Sequence, residues 1–273
     1  MSAQPKSAAK PPVTAPRLFE MKAAGEKIVM LTAYDAGFAA QCEAASVDTV
    51  LVGDSLGNVV QGRESTLPVT LDDMVYHTAA VKRGLATPLL IADLPFMTYR
   101  DVDTALRSSA RLVAEGGAAM VKLEGADYVL EVIDALDRRQ IPVCAHLGLT
   151  PQSVHKFGGY RVQGKTKSAA ERLIADAHAV EQAGASLLVL ECVPAALAKT
   201  ITAELRIPTI GIGAGVDCDG QVLVIYDMLG ITPGKRPKFS KDFLAGSGSV
   251  LDAIKAYAKA VRSRAFPAPE HSF

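Results

Sequence analysis

The sequence predicts a single (β/α)8 barrel of the TIM class. Three observations carry this. Short apolar runs alternate with longer amphipathic stretches, the runs number about eight, and polar residues recur at the C-terminal edge of one run after another. A length of 273 residues suits one such barrel without a second core.

Residues 1–16 place Lys6 and Lys10 among Ala and Pro with no apolar stretch, so they read as a disordered tail and not as a signal peptide. The barrel is then expected over residues 17–273. Its strands are expected at residues 28–32, 49–53, 89–92, 119–123, 143–145, 186–190, 209–212 and, with the weakest pattern, 222–225. Between them, Thr70 with Asp73 and Ser168 with Glu171 have the spacing of capping boxes, so each should open a helix. In the second, Leu173, Ile174, Ala177 and Val180 share one face and Gly184 supplies the stop. Strands alternating with helices make a parallel sheet, closed or doubly wound, with helices covering its apolar faces. Residues 148–167 are rich in Gly and polar residues without a clean period and read as a long loop over the strand ends, where function is often carried.

Composition excludes several classes. Lys plus Arg and Asp plus Glu both total 29, so no basic surface for nucleic acid is advertised. No apolar run approaches the roughly 18 residues of a membrane span. The four cysteines, Cys42, Cys144, Cys192 and Cys218, form no CxxC pair and read as reduced, buried thiols of a cytoplasmic protein. A mean hydropathy of +0.20 is high for a soluble chain and points to apolar surface buried between subunits of a homo-oligomer.

The chemistry is expected where the runs end. Asp54 and Ser55, Asp93, Lys122 and Glu124, His146, and Glu191 each close or follow a run, and a parallel barrel brings such positions to one rim. A lone strand-end carboxylate is adequately explained as a helix cap. Several acids at one rim repel one another unless a cation sits among them. Oxygen ligands without cysteine select a hard ion such as Mg²⁺, so Asp54 and Asp93 are the expected ligands, with Glu124 direct or through water. The carboxylate and keto oxygens of a 2-oxo acid could fill the remaining positions, which would acidify the adjacent C–H. Glu191 is the expected base, and Lys122 would either neutralise the developing oxyanion or pair with Glu124. Ser55 and His146 are placed with the substrate. His77 and His178 fall within helices and receive no role. Gly211 to Gly215 lacks the spacing of a dinucleotide or P-loop motif and reads as a tight turn that leaves room for a ligand.

The segments MLTAYDAGFA from Met30, LVGDSLGNVVQG from Leu51, STLPVTLDDMVYHTAAV from Ser65 and ADLPFMTY from Ala92 carry a family pattern. It continues in VKLEG from Val121, HLGLTPQSVHKFGGYRVQG from His146, LLVLECVP from Leu187 and IGIGAGVDCDGQVLV from Ile210. Over nearly its whole length the chain resembles the ketopantoate hydroxymethyltransferase family. The resemblance implies a barrel of the phosphoenolpyruvate/pyruvate type in which Asp54 and Asp93 contact Mg²⁺ with Glu124 nearby. Ser55 and Lys122 would help to hold the oxo acid, and Glu191 would be the base. It implies transfer of the methylene carbon of 5,10-methylenetetrahydrofolate to 3-methyl-2-oxobutanoate, at the entry to pantothenate synthesis, by a large homo-oligomer, commonly a decamer. Ala126 and Ala145 stand where relatives often have Gly, and each is expected to add a methyl near the pocket. Lyases and phosphonomutases of the same superfamily would share the acids around magnesium but not the HLGLTPQSV segment.

Overall fold

The computed structural model describes residues 11–232, 234 and 236–273. Eight parallel strands pair in chain order and close: β1 (Ile28–Thr32), β2 (Thr49–Val52), β3 (Leu89–Asp93), β4 (Met120–Glu124), β5 (Val143–Gly148), β6 (Leu187–Glu191), β7 (Thr209–Ile212) and β8 (Gly220–Leu223). Closure excludes the doubly wound alternative. The barrel is preceded by α1 (Ala15–Ala23); α2 (Ala36–Ala44) follows β1, α3 (Leu56–Val59) and α4 (Leu71–Lys82) follow β2, and α5 (Val102–Ala114) follows β3. Then α6 (Leu130–Asp137) follows β4, α7 (Val154–Phe157) and α8 (Lys167–Gln182) follow β5, α9 (Ala195–Glu204) follows β6, and α10 (Ile225–Met228) and α11 (Val250–Arg262) follow β8.

Several helix starts are written in side chains. Asp35 and Asp101 cap α2 and α5, and Thr70 with Asp73 forms the expected box on α4. The second expected box is corrected: Thr166, not Ser168, caps α8 by accepting the Ala169 N–H, so Ser168 lies inside the first turn. The buried stripe of α8 is Leu173, Ala177 and Val180, with Ile174 at its edge, and the chain leaves through Gly184 at φ +106°.

Between β7 and β8 the described residues form no helix. The parallel return is instead made through residues 213–219, where Gly213 and Gly215 take φ +62° and +86°. Asp219 fastens that turn by accepting the Thr209 N–H at 2.9 Å and pairing with Lys22 at 2.8 Å. The β8–β1 seam is reinforced from α11, whose Tyr257 hydroxyl lies 3.0 Å from both Met30 O and Gln221 O.

Alternation along each strand divides the core in two. Val50, Val52, Leu90, Ala92, Val121 and Leu123 point out against the helices, while Met30, Leu51, Ile91, Met120, Cys144 and Val189 point into the barrel. Leu18 and Met21 of α1 join the inner set and plug its N-terminal end. The plug corrects the expected tail. Residues 1–10 lie outside the described residues, but the Val13 N–H donates to Thr87 O at 2.8 Å, Thr14 caps α1, and Ala15 and Pro16 form its first turn. All four cysteines are buried and unpaired. No helix among the described residues is long and apolar enough to cross a membrane.

Leu18 is fully buried and packs, with Met21, against the inward residues at that end of the barrel. Leu18→Ala is expected to cost about 2–5 kcal/mol, read as a lower urea midpoint with an unchanged slope. An unaltered midpoint would mean that α1 is not part of the folded core.

Candidate active site

The inward positions change character at the C-terminal ends of the strands. Below, they are apolar apart from Thr49 on β2; at the rim, β3 presents Asp93, β4 presents Lys122 and Glu124, β5 presents His146 and β6 presents Glu191. These residues end or lie within the strands and are not the first loop residues after them. The ladder register sets Asp93 beside Lys122, Glu124 beside His146, and Gly148 beside Glu191. Asp54 and Ser55 follow β2. Together all seven residues line one cavity of about 110 Å³ at the barrel mouth.

Polarity is divided around that ring. Strands β3 to β6 supply charge, whereas Ile212 at the end of β7, Val222 and Val224 at β8, and Phe239 from the segment beyond it supply an apolar wall.

Among the charged groups, Lys122 Nζ reaches Asp93 Oδ1 at 2.7 Å, with both side chains buried. The ion pair expected with Glu124 is therefore made with Asp93, on the neighbouring strand. Asp93 Oδ2 accepts the Asp54 N–H at 3.0 Å, which fixes the turn after β2. Burial, and then the Asp93 and Glu124 carboxylates, push the Asp54 carboxyl well above the usual carboxylate range against the opposing pull of Lys122. Burial and the same acids act in opposite senses on Lys122, and the acids hold its ammonium more firmly protonated than usual. His146 lies between two acids, with Nδ1 3.5 Å from Glu124 Oε1 and Nε2 3.3 Å from Glu191 Oε2, in ion-pair range but without a hydrogen bond at either nitrogen. Burial and Lys122 push its imidazole down, Glu124 and Glu191 push it up, and the acids prevail at about 9. Ser55 Oγ lies 2.8 Å from the buried Tyr34 hydroxyl.

Glu191 is the least enclosed of the charged groups, with 15% of its side chain exposed. Two features of the backbone aim it. Gly148 runs so close that a Cβ there would stand 2.2 Å from Glu191 O, and its φ of +92° disfavours any L side chain. Immediately after Glu191 the chain turns at Cys192 with φ +49°, a conformation that costs a non-glycine residue of order 1 kcal/mol and recurs at functional sites.

Two site residues have no role in the sequence reading, although both fall inside the segments that carry the family pattern. Gln152, in the one-turn helix Pro151–Ser153 of the loop after β5, donates from Nε2 to Asp54 Oδ2 at 2.8 Å and from its backbone N–H to Glu124 Oε2 at 3.0 Å. Tyr99 donates its hydroxyl to Gln152 Oε1 at 2.6 Å. The expectation that the loop 148–167 lies over the strand ends points to Gln152, and Tyr99 closes the ADLPFMTY segment, but neither signal assigns a role. The two alanines expected near the pocket are placed elsewhere. Ala145 faces the helices, opposite in alternation to His146, and Ala126 lines a separate cavity of about 370 Å³ bounded by α8.

Among the described residues no three His, Cys, Asp or Glu side chains form a ready-made metal cage. Magnesium does not require one, because it commonly keeps several waters and takes one or two carboxylates. The donor set suits it. Asp54 and Glu124 are buried acids that each accept a hydrogen bond from Gln152 at one oxygen, Oδ2 and Oε2, while the second oxygen of Glu124 faces His146 Nδ1 at 3.5 Å.

Comparison with known proteins places the chain in a family. The ketopantoate hydroxymethyltransferase family profile matches residues 12–269. A 3-methyl-2-oxobutanoate hydroxymethyltransferase from Burkholderia mallei (strain SAVP1) is 58% identical over 264 residues, which cover 97% of each chain. The chain belongs to the ketopantoate hydroxymethyltransferase family. Solved structures outside the family share the barrel at low identity. A putative phosphonomutase from Burkholderia cenocepacia J2315 has a TM-score of 0.63 at 17% identity, covering 80% of this chain and 95% of that one. A phosphonopyruvate hydrolase, solved with oxalate and Mg²⁺, has a TM-score of 0.60 at 14% identity, covering 92% and 97%. At that identity the likeness is one of fold: both chains share the barrel described above.

Removing Lys122 leaves Asp93 buried without its cation. In metal-free buffer Lys122→Met is expected to lower unfolding stability by about 3–5 kcal/mol, and Asp93→Asn in the same chain to restore most of that loss. Urea titration of the single and double variants checks it; a single variant as stable as the parent would show that the pair is not compensating the acids.

Proposed function

We propose that this chain transfers the methylene carbon of 5,10-methylenetetrahydrofolate, with water, to 3-methyl-2-oxobutanoate, giving 2-dehydropantoate and tetrahydrofolate in the first step of pantothenate synthesis. The observation that carries the reading is a small, half-charged and half-apolar mouth cavity in a chain that belongs to this family. Its two halves match the two ends of a branched 2-oxo acid. The carboxylate and keto oxygens suit the side of Asp54, Ser55, Asp93 and Lys122, and the isopropyl group suits Ile212, Val222, Val224 and Phe239.

Asp54 and Asp93 would hold magnesium, with Glu124 direct or through water; both Asp93 oxygens already accept, from Lys122 and from the Asp54 N–H, so Asp93 would share an oxygen with the ion. When bound there, the ion supplies a Lewis acid that polarises the keto group and acidifies the neighbouring C–H. The remaining work falls to the chain itself. Lys122, kept protonated by its acidic neighbours, neutralises negative charge that develops on the substrate oxygen. Glu191, across the ring and partly open to solvent, takes the C3 proton and so leaves a carbon nucleophile. His146, 3.3 Å from the Glu191 carboxylate, orients that base. The C3 carbanion attacks the methylene of the ring-opened folate iminium to form the new C–C bond. Water then cleaves the methylene from the folate nitrogen, leaving the hydroxymethyl group on the product. Each step needs water excluded until the C–C bond has formed, and the apolar wall and the loop after β5 provide that cover.

The decisive experiment incubates the chain with 3-methyl-2-oxobutanoate, methylenetetrahydrofolate and Mg²⁺ and follows 2-dehydropantoate by mass. Formation that depends on both folate and magnesium is expected, and Asp54→Ala should abolish it. Glu191→Gln should slow deuterium exchange from D₂O into C3 of the oxo acid by about 10²-fold or more; exchange at the parent rate would assign the base elsewhere.

A further inference from the structure

Gln152 is held in a way that no strand residue of the site is. It is buried, and its carboxamide is saturated: Nε2 donates to Asp54 Oδ2 at 2.8 Å and to Leu94 O at 3.0 Å, and Oε1 accepts the Tyr99 hydroxyl at 2.6 Å. Flipping the amide would set its oxygen against a carboxylate and a carbonyl, so the network admits one orientation. The backbone N–H of the same residue donates to Glu124 Oε2 at 3.0 Å. One loop residue thus grips a carboxylate beyond β2 and a carboxylate on β4, and Tyr99, beyond β3, locks the grip.

We infer that Gln152, oriented by Tyr99, is a positioning residue that sets the affinity of the mouth for a divalent cation and couples that affinity to docking of the loop after β5. By occupying Asp54 Oδ2 and Glu124 Oε2, it leaves Asp54 Oδ1 free of hydrogen bonds and Glu124 Oε1 shared only with His146 at 3.5 Å, so these are the oxygens an ion would meet. It also holds two mutually repelling acids at a fixed separation, so the arrangement an ion requires is set before the ion arrives. Coupling is reciprocal: whatever the docked loop adds to cation affinity, the cation adds to loop docking. The inference rests on the proposed metal reading, and it assigns to the loop a part in metal binding in addition to covering the substrate.

Magnesium chloride is titrated calorimetrically into the full chain without substrate, and into Gln152→Met and Tyr99→Phe. Gln152→Met keeps the volume and removes the donors, and is expected to weaken magnesium about tenfold to a hundredfold. Tyr99→Phe should weaken it less, because Leu94 O still orients the amide. Magnesium should also slow hydrogen exchange at the Gln152 amide in the unsubstituted chain. A purely structural tie would lower the melting temperature of Gln152→Met and leave its magnesium Kd unchanged, and that result overturns the inference. If Gln152→Met does not fold, an unchanged Kd in Tyr99→Phe overturns it equally. Failure of the unsubstituted chain to bind magnesium overturns the metal reading together with the clamp, whereas binding by the parent with undiminished affinity in the variants overturns the clamp alone.

Discussion

The structure is organised around one electrostatic constraint: Asp54, Asp93 and Glu124 are buried within a single barrel mouth, where Lys122 touches Asp93 and His146 stands 3.5 Å from Glu124. Carboxylates taken out of water demand compensation. Lys122 compensates Asp93 directly, and backbone and amide donors from Asp54 and Gln152 compensate further oxygens. What remains uncompensated shows in the Asp54 carboxyl, which is driven upward by burial and by its acidic neighbours. A site in that condition favours the arrival of positive charge, and does so without any residue that binds metal on its own.

Only a rigid frame can hold groups that repel one another, and the barrel supplies it by register. Lys122 reaches Asp93 because β3 and β4 set them side by side, and Glu124 meets His146 through the same ladder one strand on. Beneath them the inward residues are apolar apart from Thr49, and the far end is plugged by Leu18 and Met21, so the charged layer rests on a largely apolar floor. A low-dielectric floor strengthens every interaction above it, favourable or not. The hydrophobic core therefore contributes to the chemistry as well as to the fold.

Much of this was legible in the sequence because the barrel turns a linear regularity into a spatial one. An acid at the end of an apolar run reappears at β3, β4 and β6, and the topology alone brings Asp93, Glu124 and Glu191 together. The same regularity misplaces the strand ends. Asp93, Glu124 and Glu191 look like the first residues of loops by hydropathy, yet each is the last residue of its strand, polar because it faces the cavity. Alternation could have placed Ala145 on the face opposite His146, and a capping Thr at 166 was visible two residues before Ser168. Gln152 is different in kind. A glutamine in a loop has no chemical signature, and its contact with Asp54 spans 98 positions, so nothing local announces it.

The division of the cavity into a charged arc and an apolar arc also bears on specificity. On the proposed reading the charged residues on β3 to β6 would serve any small 2-oxo acid, since the carboxylate and keto oxygens are common to all of them. Selection among such acids would then fall to Ile212, Val222, Val224 and Phe239, where an alkyl branch either fills the wall or leaves a void. A single methylene in an apolar pocket is worth only about 1–3 kcal/mol, so this wall can rank related alkyl groups but cannot exclude them outright. The steeper discrimination belongs to the charged arc, where a ligand lacking the two oxygens would leave Lys122 and the acids buried without the partner they were assembled to receive.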